Sequence, residues 1–167
     1  MLLCAAAGRA PLVGPNNAEC DDQMTNTHAY NIAVIPGDGI GQEVIPAGIA
    51  AIEAAARRSN VSFTFTPLPW GCDYYMSYGR MMDADGFDRL AKFDAIYLGA
   101  IGAPTVPDHI AVWDLLLPLR QRFQQYVNLR PIVRYPGVET LVPTHTEDDV
   151  NMVVVRENSE GLYSGAG

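Results

Sequence analysis

This chain is poor in cysteine, in basic residues and in long apolar runs. Its three cysteines, Cys4, Cys20 and Cys72, are an odd number without paired spacing. That argues against a disulfide framework or a structural zinc site and points to a reducing compartment. Eleven Lys+Arg against nineteen Asp+Glu leave a formal net charge of -8. A surface of that sign repels phosphate backbones and anionic lipid, so no nucleic acid and no membrane is expected as a partner. No apolar run approaches the roughly 20 residues that cross a bilayer. The N-terminal residues lack both the charged n-region of a signal peptide and the repeated arginines of a mitochondrial presequence. Residues 1–29 read as a disordered tail or a misannotated extension, with Met24 as an alternative start. A cytoplasmic location is expected, with a mitochondrial one as the alternative.

What is there suits a globular α/β protein. The chain has 167 residues, 49% hydrophobic and 18% charged, enough for a core and unlike a disordered composition. Asn31-Ile-Ala-Val-Ile35 predicts a short buried strand. Residues 43–58 follow with apolar positions near the 3.6-residue helical period, and Pro46 is placed in the first turn of that helix. Residues 61–65 alternate as a half-buried strand. A helix over 85–91 and a buried strand over 95–98 come next. Residues 113–124 predict a helix that Pro118 must kink or start. Extended segments at 127–132 and 150–156 close the chain. Strand, helix, strand, helix, strand is the order of a mostly parallel sheet with covering helices. The βα alternation stops near Tyr126, which divides the chain into a first α/β domain at 30–125 and the start of a second domain at 126–167.

Three features carry chemistry. The first is a pair of small-residue loops after buried strands, Gly37-Asp38-Gly39-Ile40-Gly41 and Gly99-Ala100-Ile101-Gly102-Ala103-Pro104. The first loop has the spacing G-x-G-x-G, not the G-x-G-x-x-G of a dinucleotide fingerprint, and has no Walker lysine. It reads either as a tight βα turn or as a ligand loop at the carboxyl edge of the sheet. The second feature is a set of three arginines in apolar settings: Arg120 after a leucine run, Arg130 in Val-Asn-Leu-Arg-Pro, and Arg156 at the end of a valine run. Each alone reads as a snorkelling or ion-paired side chain. Together they suit a shared anion, because guanidinium forks grip carboxylates in pairs. The third is that valine run itself, Val153-Val-Val-Arg-Glu-Asn-Ser-Glu-Gly-Leu-Tyr163. It reads as a buried strand whose end presents an arginine, a carboxylate, an amide and a phenol.

Taken in order, Asn31-Ile-Ala-Val-Ile-Pro-Gly-Asp-Gly-Ile-Gly41, Gly99-Ala-Ile-Gly102, Leu119-Arg120, Asn128-Leu-Arg-Pro131 and Val155-Arg-Glu-Asn-Ser-Glu-Gly161 resemble the isocitrate/isopropylmalate dehydrogenase family. The match runs from about Tyr30 to the end. Within the family, Val106-Pro-Asp-His109, Trp113-Asp-Leu-Leu-Leu-Pro118 and Gln125-Tyr-Val-Asn-Leu-Arg-Pro131 look most like the tartrate dehydrogenase/decarboxylase branch, which also acts on D-malate. The resemblance implies an isopropylmalate-dehydrogenase-like open sheet, incomplete here, with the start of a dimer-forming domain. It implies NAD-dependent oxidation and decarboxylation of a small 2-hydroxy dicarboxylic acid, assisted by Mg²⁺ or Mn²⁺. The family's substrate arginines fall on Arg120, Arg130 and Arg156. Its catalytic tyrosine falls on Tyr163. Its cofactor contacts fall on Gly99, Ala100, Gly102, Trp113 and Asn158.

Substrate choice in the family is read near Arg120. Isocitrate enzymes place a serine and an asparagine six and four residues before this arginine, where Asp114 and Leu116 stand here. An acidic residue facing a third carboxylate disfavours isocitrate. Leu116 and Leu117 match isopropylmalate enzymes, so 3-isopropylmalate is the alternative, while Trp113 in place of their glutamate favours tartrate or malate. Family members are more than twice this length. The expected remainder carries a catalytic lysine, the metal-binding aspartates and the adenine loop, so no metal ligand is expected among these 167 residues. The full-length form is expected to be a homodimer and the chain alone inactive, with exposed sheet edges and unburied apolar faces. A non-catalytic truncated paralogue, acting as a binding subunit, is a further alternative.

Overall fold

The computed structural model describes residues 2–4, 28–138, 150–161 and 164. The chain divides into two compact units, Met1–Pro118 and Leu119–Gly167. The division falls inside a helix, α5 (Leu117–Arg122).

The first unit is built on a four-stranded sheet in the order β1-β4-β2-β3. Here β1 is Leu2–Cys4, β2 is His28–Gly37, β3 is Val61–Pro67 and β4 is Ala95–Ala100. β2 runs parallel to both β3 and β4. β1 lies antiparallel to β4 at the edge, a strand formed from residues that the sequence reading left in the tail. The helix between β2 and β3, α1 (Gly41–Ala56), covers one face. Its apolar stripe supplies Ile45 and Ile49, which pack on Ile32 and Val34 of β2, Phe63 and Phe65 of β3, and Ala95 and Tyr97 of β4. The alternate strand residues Ala33, Ile35, Ile96 and Leu98 are also buried. β2 and β4 thus bury side chains on both faces and read as continuous apolar runs, whereas β3 alternates as the sequence predicts. Each fully buried isoleucine, leucine or valine among them contributes about 1.5–3 kcal/mol.

α1 begins at Gly41, two residues before the sequence period suggested, so Pro46 lies in its second turn. Gly48 lets α1 sit directly on the Tyr97 hydroxyl, where a Cβ would overlap it.

Two short helices follow β3. α2 (Cys72–Tyr78) was not foreseen, because it carries no apolar stripe and buries only Cys72. α3 (Gly86–Leu90) matches the expected helix at 85–91. Asp83 ties this region together. Its carboxylate accepts from the Trp70 indole at 3.4 Å and from the Tyr74 hydroxyl, and it pairs with Arg89. Arg89 also lies over the Trp70 ring at 5.4 Å. The Tyr74 hydrogen bond, foremost, holds Asp83 below the usual carboxylate range, and the same bond raises the tyrosine.

The single helix expected at 113–124 is two pieces, a π-helical turn (Val112–Leu116) and α5, which ends at Arg122, and a short helix, α4 (Asp108–Ala111), precedes them. Pro118 explains the break. It has no N–H to give to the carbonyl four residues back, and its ring crowds that carbonyl, so the turn before it widens.

In the second unit, β5 (Val127–Val133) and β6 (Asn151–Glu157) form an antiparallel ribbon. The valine run is a strand as expected, but it is not buried. Met152, Val153, Val154 and Val155 are all exposed, as are Val127, Leu129, Ile132 and Val133 across from them. A two-stranded ribbon has no second layer of its own, and of its residues Asn128 is buried and Arg156 half-buried while the apolar side chains stand exposed.

Candidate functional site

The residues singled out from the sequence fall in both units, and each group is described within its own. In the first unit they gather at the carboxyl end of β2 and β4. Asp38 N–H donates to the Ala100 carbonyl at 2.7 Å, which joins the two small-residue loops directly. The glycines make that approach geometrically open. A Cβ on Gly37 would overlap the Ala100 carbonyl oxygen, and one on Gly41 or Gly99 would overlap the carbonyl oxygen of Pro36. Gly37 also has φ of 73°, a left-handed value. The tight-turn reading therefore accounts for Gly37, Gly41 and Gly99. Gly102 differs: its φ is 140°, and the space where a Cβ would stand is open. Ala100 is half-buried at the end of β4. Trp113 is 46% exposed in the π-helical turn, a large apolar ring presented outward.

Asp38 is the residue the sequence reading missed here. It is only 5% exposed. Its Oδ1 accepts from the Cys72 backbone N–H at 2.8 Å, and its Oδ2 accepts from the Gly102 backbone N–H at 2.9 Å. Cys72 lies beside it. Burial, followed by the Asp38 carboxylate, pushes that thiol up to about 11. The thiolate is thus scarce at neutral pH and Cys72 is a poor nucleophile. A pocket of about 420 Å³ opens next to this junction, lined by Pro36, Gln42, Pro67, Trp70 and Tyr74 among others.

In the second unit, strand register assembles the arginines. Asn128 stands opposite Arg156, and Arg130 opposite Val154. Opposed residues share a face, and so do residues two apart along a strand. Arg130 and Arg156 therefore lie diagonally on one face with Asn128 between them. Arg130 Nε donates to Asn128 Oδ1 at 3.2 Å. Arg156 is half-buried and Arg130 exposed. Arg120 sits in α5, half-buried, with its carbonyl accepting from Gln125 N–H at 2.7 Å. The structure thus joins two of the three arginines by register.

β6 ends in a tight turn. Glu157 accepts from Ser159 N–H at 2.7 Å, from Ser159 Oγ at 3.1 Å and from Glu160 N–H at 2.9 Å. The Ser159 N–H, foremost, holds Glu157 below the usual carboxylate range. Asn158 in that turn is 1% exposed, and its Oδ1 meets no hydrogen-bond partner among the described residues. A buried acceptor in that state is costly unless a ligand or another segment supplies a donor. Tyr163 lies outside the described residues. Among the described residues, no three His, Cys, Asp or Glu converge as a metal site, and no helix is long and apolar enough to cross a membrane.

Comparison with known proteins shows the family. The sequence profile of the isocitrate/isopropylmalate dehydrogenase family matches residues 31–167. A probable tartrate dehydrogenase/decarboxylase of Agrobacterium vitis is 52% identical over 139 residues, covering 83% of this chain and 39% of the relative. The decarboxylating D-malate dehydrogenase of Escherichia coli strain K12 is 50% identical over 138 residues, covering 81% and 38%. Among solved structures, isocitrate dehydrogenase from Methylococcus capsulatus superposes with a TM-score of 0.63 at 29% identity, over 82% of this chain and 37% of that one. The chain spans about 39% of the length of the curated relatives it matches.

Proposed function

The chain belongs to the isocitrate/isopropylmalate dehydrogenase family, and from that premise we propose that it forms part of an NAD-dependent dehydrogenase that oxidises and decarboxylates a small 2-hydroxy dicarboxylate, tartrate or D-malate. The observation that carries this reading is the diagonal pair Arg130 and Arg156 on one face of the β5–β6 ribbon. Two guanidinium groups on one face suit the two carboxylates of such an acid, and Arg120 adds a third. The names of the relatives point to the same substrate class.

Gly102 in the first unit and Asn158 in the second each suit a dinucleotide contact. The buried Asn158 Oδ1 awaits a donor such as a carboxamide or ribose hydroxyl, and the open, left-handed Gly102 leaves backbone approachable. Gly99, Ala100 and Trp113 of the first unit are the further NAD⁺ contacts that the family resemblance implies. When bound, NAD⁺ accepts the hydride from the carbinol carbon of the substrate. The residues of this chain do the rest that is assigned to it. The arginines fix both carboxylates, so that the carbinol carbon has one orientation. They also neutralise the dianion on its way into the site. Tyr163 delivers a proton to the enol left by loss of CO₂. Mg²⁺ or Mn²⁺ belongs to the same reading, but the described residues do not form its ligand set, so no step is assigned through it. A homodimer of the longer polypeptide and a cytoplasmic location complete the proposal. The 167 residues alone are expected to give no turnover.

3-Isopropylmalate is the second reading, carried by Leu116, half-buried beside the buried Leu117, at the positions where an isopropyl group would need apolar neighbours. Comparing kcat/KM for tartrate, D-malate and 3-isopropylmalate in the native polypeptide that carries these residues tests both. A preference for either of the first two supports the proposal. A preference for the third supports the second reading, and turnover of none overturns both.

A further inference from the structure

Asp38 is unusual among the carboxylates of the first unit. It is nearly buried, and both oxygens are committed to backbone donors rather than to cations: Cys72 N–H at 2.8 Å and Gly102 N–H at 2.9 Å. Those partners lie 34 and 64 residues away along the chain. One opens α2 and the other lies in the loop after β4. Its own N–H reaches that loop as well, through the Ala100 carbonyl. A Cβ on Gly71 would stand 2.7 Å from Asp38 Oδ1, so that glycine is what lets the chain draw close to the carboxylate. Three segments are thus tied by one side chain, and the outermost of them carries Gly102, whose φ of 140° no ordinary side chain would hold.

We propose that Asp38 is a positioning residue for cofactor binding: its carboxylate, through the Gly102 N–H, holds the loop after β4 in the one conformation that receives the dinucleotide. This rests on the reading of that loop as a cofactor contact. A charged acceptor is needed rather than any polar group, because both carboxylate oxygens accept. An amide at this position would present one oxygen and one NH₂. Either Cys72 N–H or Gly102 N–H would then face a donor and lose its bond. The stretch Gly99-Ala100-Ile101-Gly102 has no polar side chain of its own with which to hold its shape, so the loss falls directly on backbone order.

The test is Asp38→Asn, with Asp83→Asn as a control that loosens a structural carboxylate of the same unit. Amide hydrogen exchange is read at Cys72 and Gly102, and steady-state kinetics are read in the native polypeptide that carries these residues. Asp38→Asn is expected to speed exchange at Gly102 or Cys72 by at least about tenfold, the loss of one charge-assisted bond. It is also expected to raise KM for NAD⁺ by about tenfold while KM for the hydroxy acid stays within about twofold. Asp38→Glu, which keeps two accepting oxygens, restores part of the NAD⁺ affinity. Unchanged exchange at both amides overturns the proposal, as does a rise in both KM values equal to that of Asp83→Asn. Faster exchange with KM for NAD⁺ unchanged also overturns it, leaving Asp38 as a structural tie. If Asp38→Asn does not fold, exchange and KM in Asp38→Glu decide alone: a shift confined to NAD⁺ supports the proposal, and no shift or an equal shift for both substrates overturns it. If the unaltered protein does not reduce NAD⁺ at all, the enzyme reading fails, and nucleotide binding by calorimetry with the same variants still decides the role of Asp38.

Discussion

The two units of this chain bury different things. In Met1–Pro118 the buried residues are overwhelmingly apolar, from Ile32 to Leu98 in the sheet and Trp70, Met81, Leu90 and Leu115 around it. In Leu119–Gly167 the buried described residues are Leu119 and then Asn128, Asn158 and Ser159, while the valines and leucines of the ribbon stand in the open. The first unit has the anatomy of a core. The second has a few buried polar residues and an arginine-bearing face on a ribbon whose apolar side chains are exposed. The same sequence signal, a run of β-branched residues, leads to both outcomes. What differs is whether a helix such as α1 follows close enough in the chain to cover the strand.

The sharpest way to break this contrast is to shorten one apolar side chain in each unit. Ile96→Ala, at a fully buried position, is expected to lower stability by about 2–5 kcal/mol through lost burial and a residual cavity. Val155→Ala, at 67% exposure, is expected to change it by less than about 0.5 kcal/mol. Urea unfolding of the 167-residue chain measures both, and equal losses would mean that the ribbon is covered after all.

The next test separates fold from chemistry within the second unit. Arg130→Gln or Arg156→Gln is expected to cut kcat/KM for the dicarboxylate by about a hundredfold, roughly 2.7 kcal/mol, in the native polypeptide. Arg122→Gln, an exposed neighbour in α5, should leave it within about twofold. Equal effects at all three would dissolve the arginine face as a site.

Glycines sharpen the contrast further. Gly99→Ala pushes a methyl into the Pro36 carbonyl and is expected to cost about 1–3 kcal/mol. Gly137→Ala, with φ of 75° and open space around it, should cost only the left-handed backbone term of about 1 kcal/mol. Thermal unfolding of the two variants gives the comparison.

The smallest effect concerns the turn after β6. Glu157 is a carboxylate whose folded-state pKa is depressed, chiefly by the Ser159 N–H. Its contribution is therefore present above the ordinary carboxylate range and is lost as pH falls through the depressed value. An NMR titration should place its midpoint below that of an unstructured glutamate, and Glu157→Gln should remove the acid-side change in the Ser159 amide resonance.

Much of this was legible before any coordinates. β2 and β4 announce themselves as apolar runs, β3 by its alternation, and the first covering helix by its period. Arg130 and Arg156 were found by their apolar settings, although only strand register shows that they share a face. Other features were hidden for physical reasons. α2 has an aromatic, polar sequence with one buried residue, and its clearest signal was Gly79, whose φ of 68° ends the helix. The π-helical turn comes from Pro118 acting backwards on the turn before it. Asp38 looked like one letter of a glycine loop, because its bonds reach residues far along the chain. The exposure of β6 depends on what covers it, which no local pattern encodes.

The central claim is that the arginine face binds a dicarboxylate for oxidation by NAD⁺. Its most direct test is NADH formation by the native polypeptide, with D-malate or tartrate and added Mg²⁺ or Mn²⁺, before and after Arg130→Gln. The account expects turnover in the unaltered protein and its loss in the variant. The same rate in both, or no NADH with any hydroxy acid tried, would contradict it.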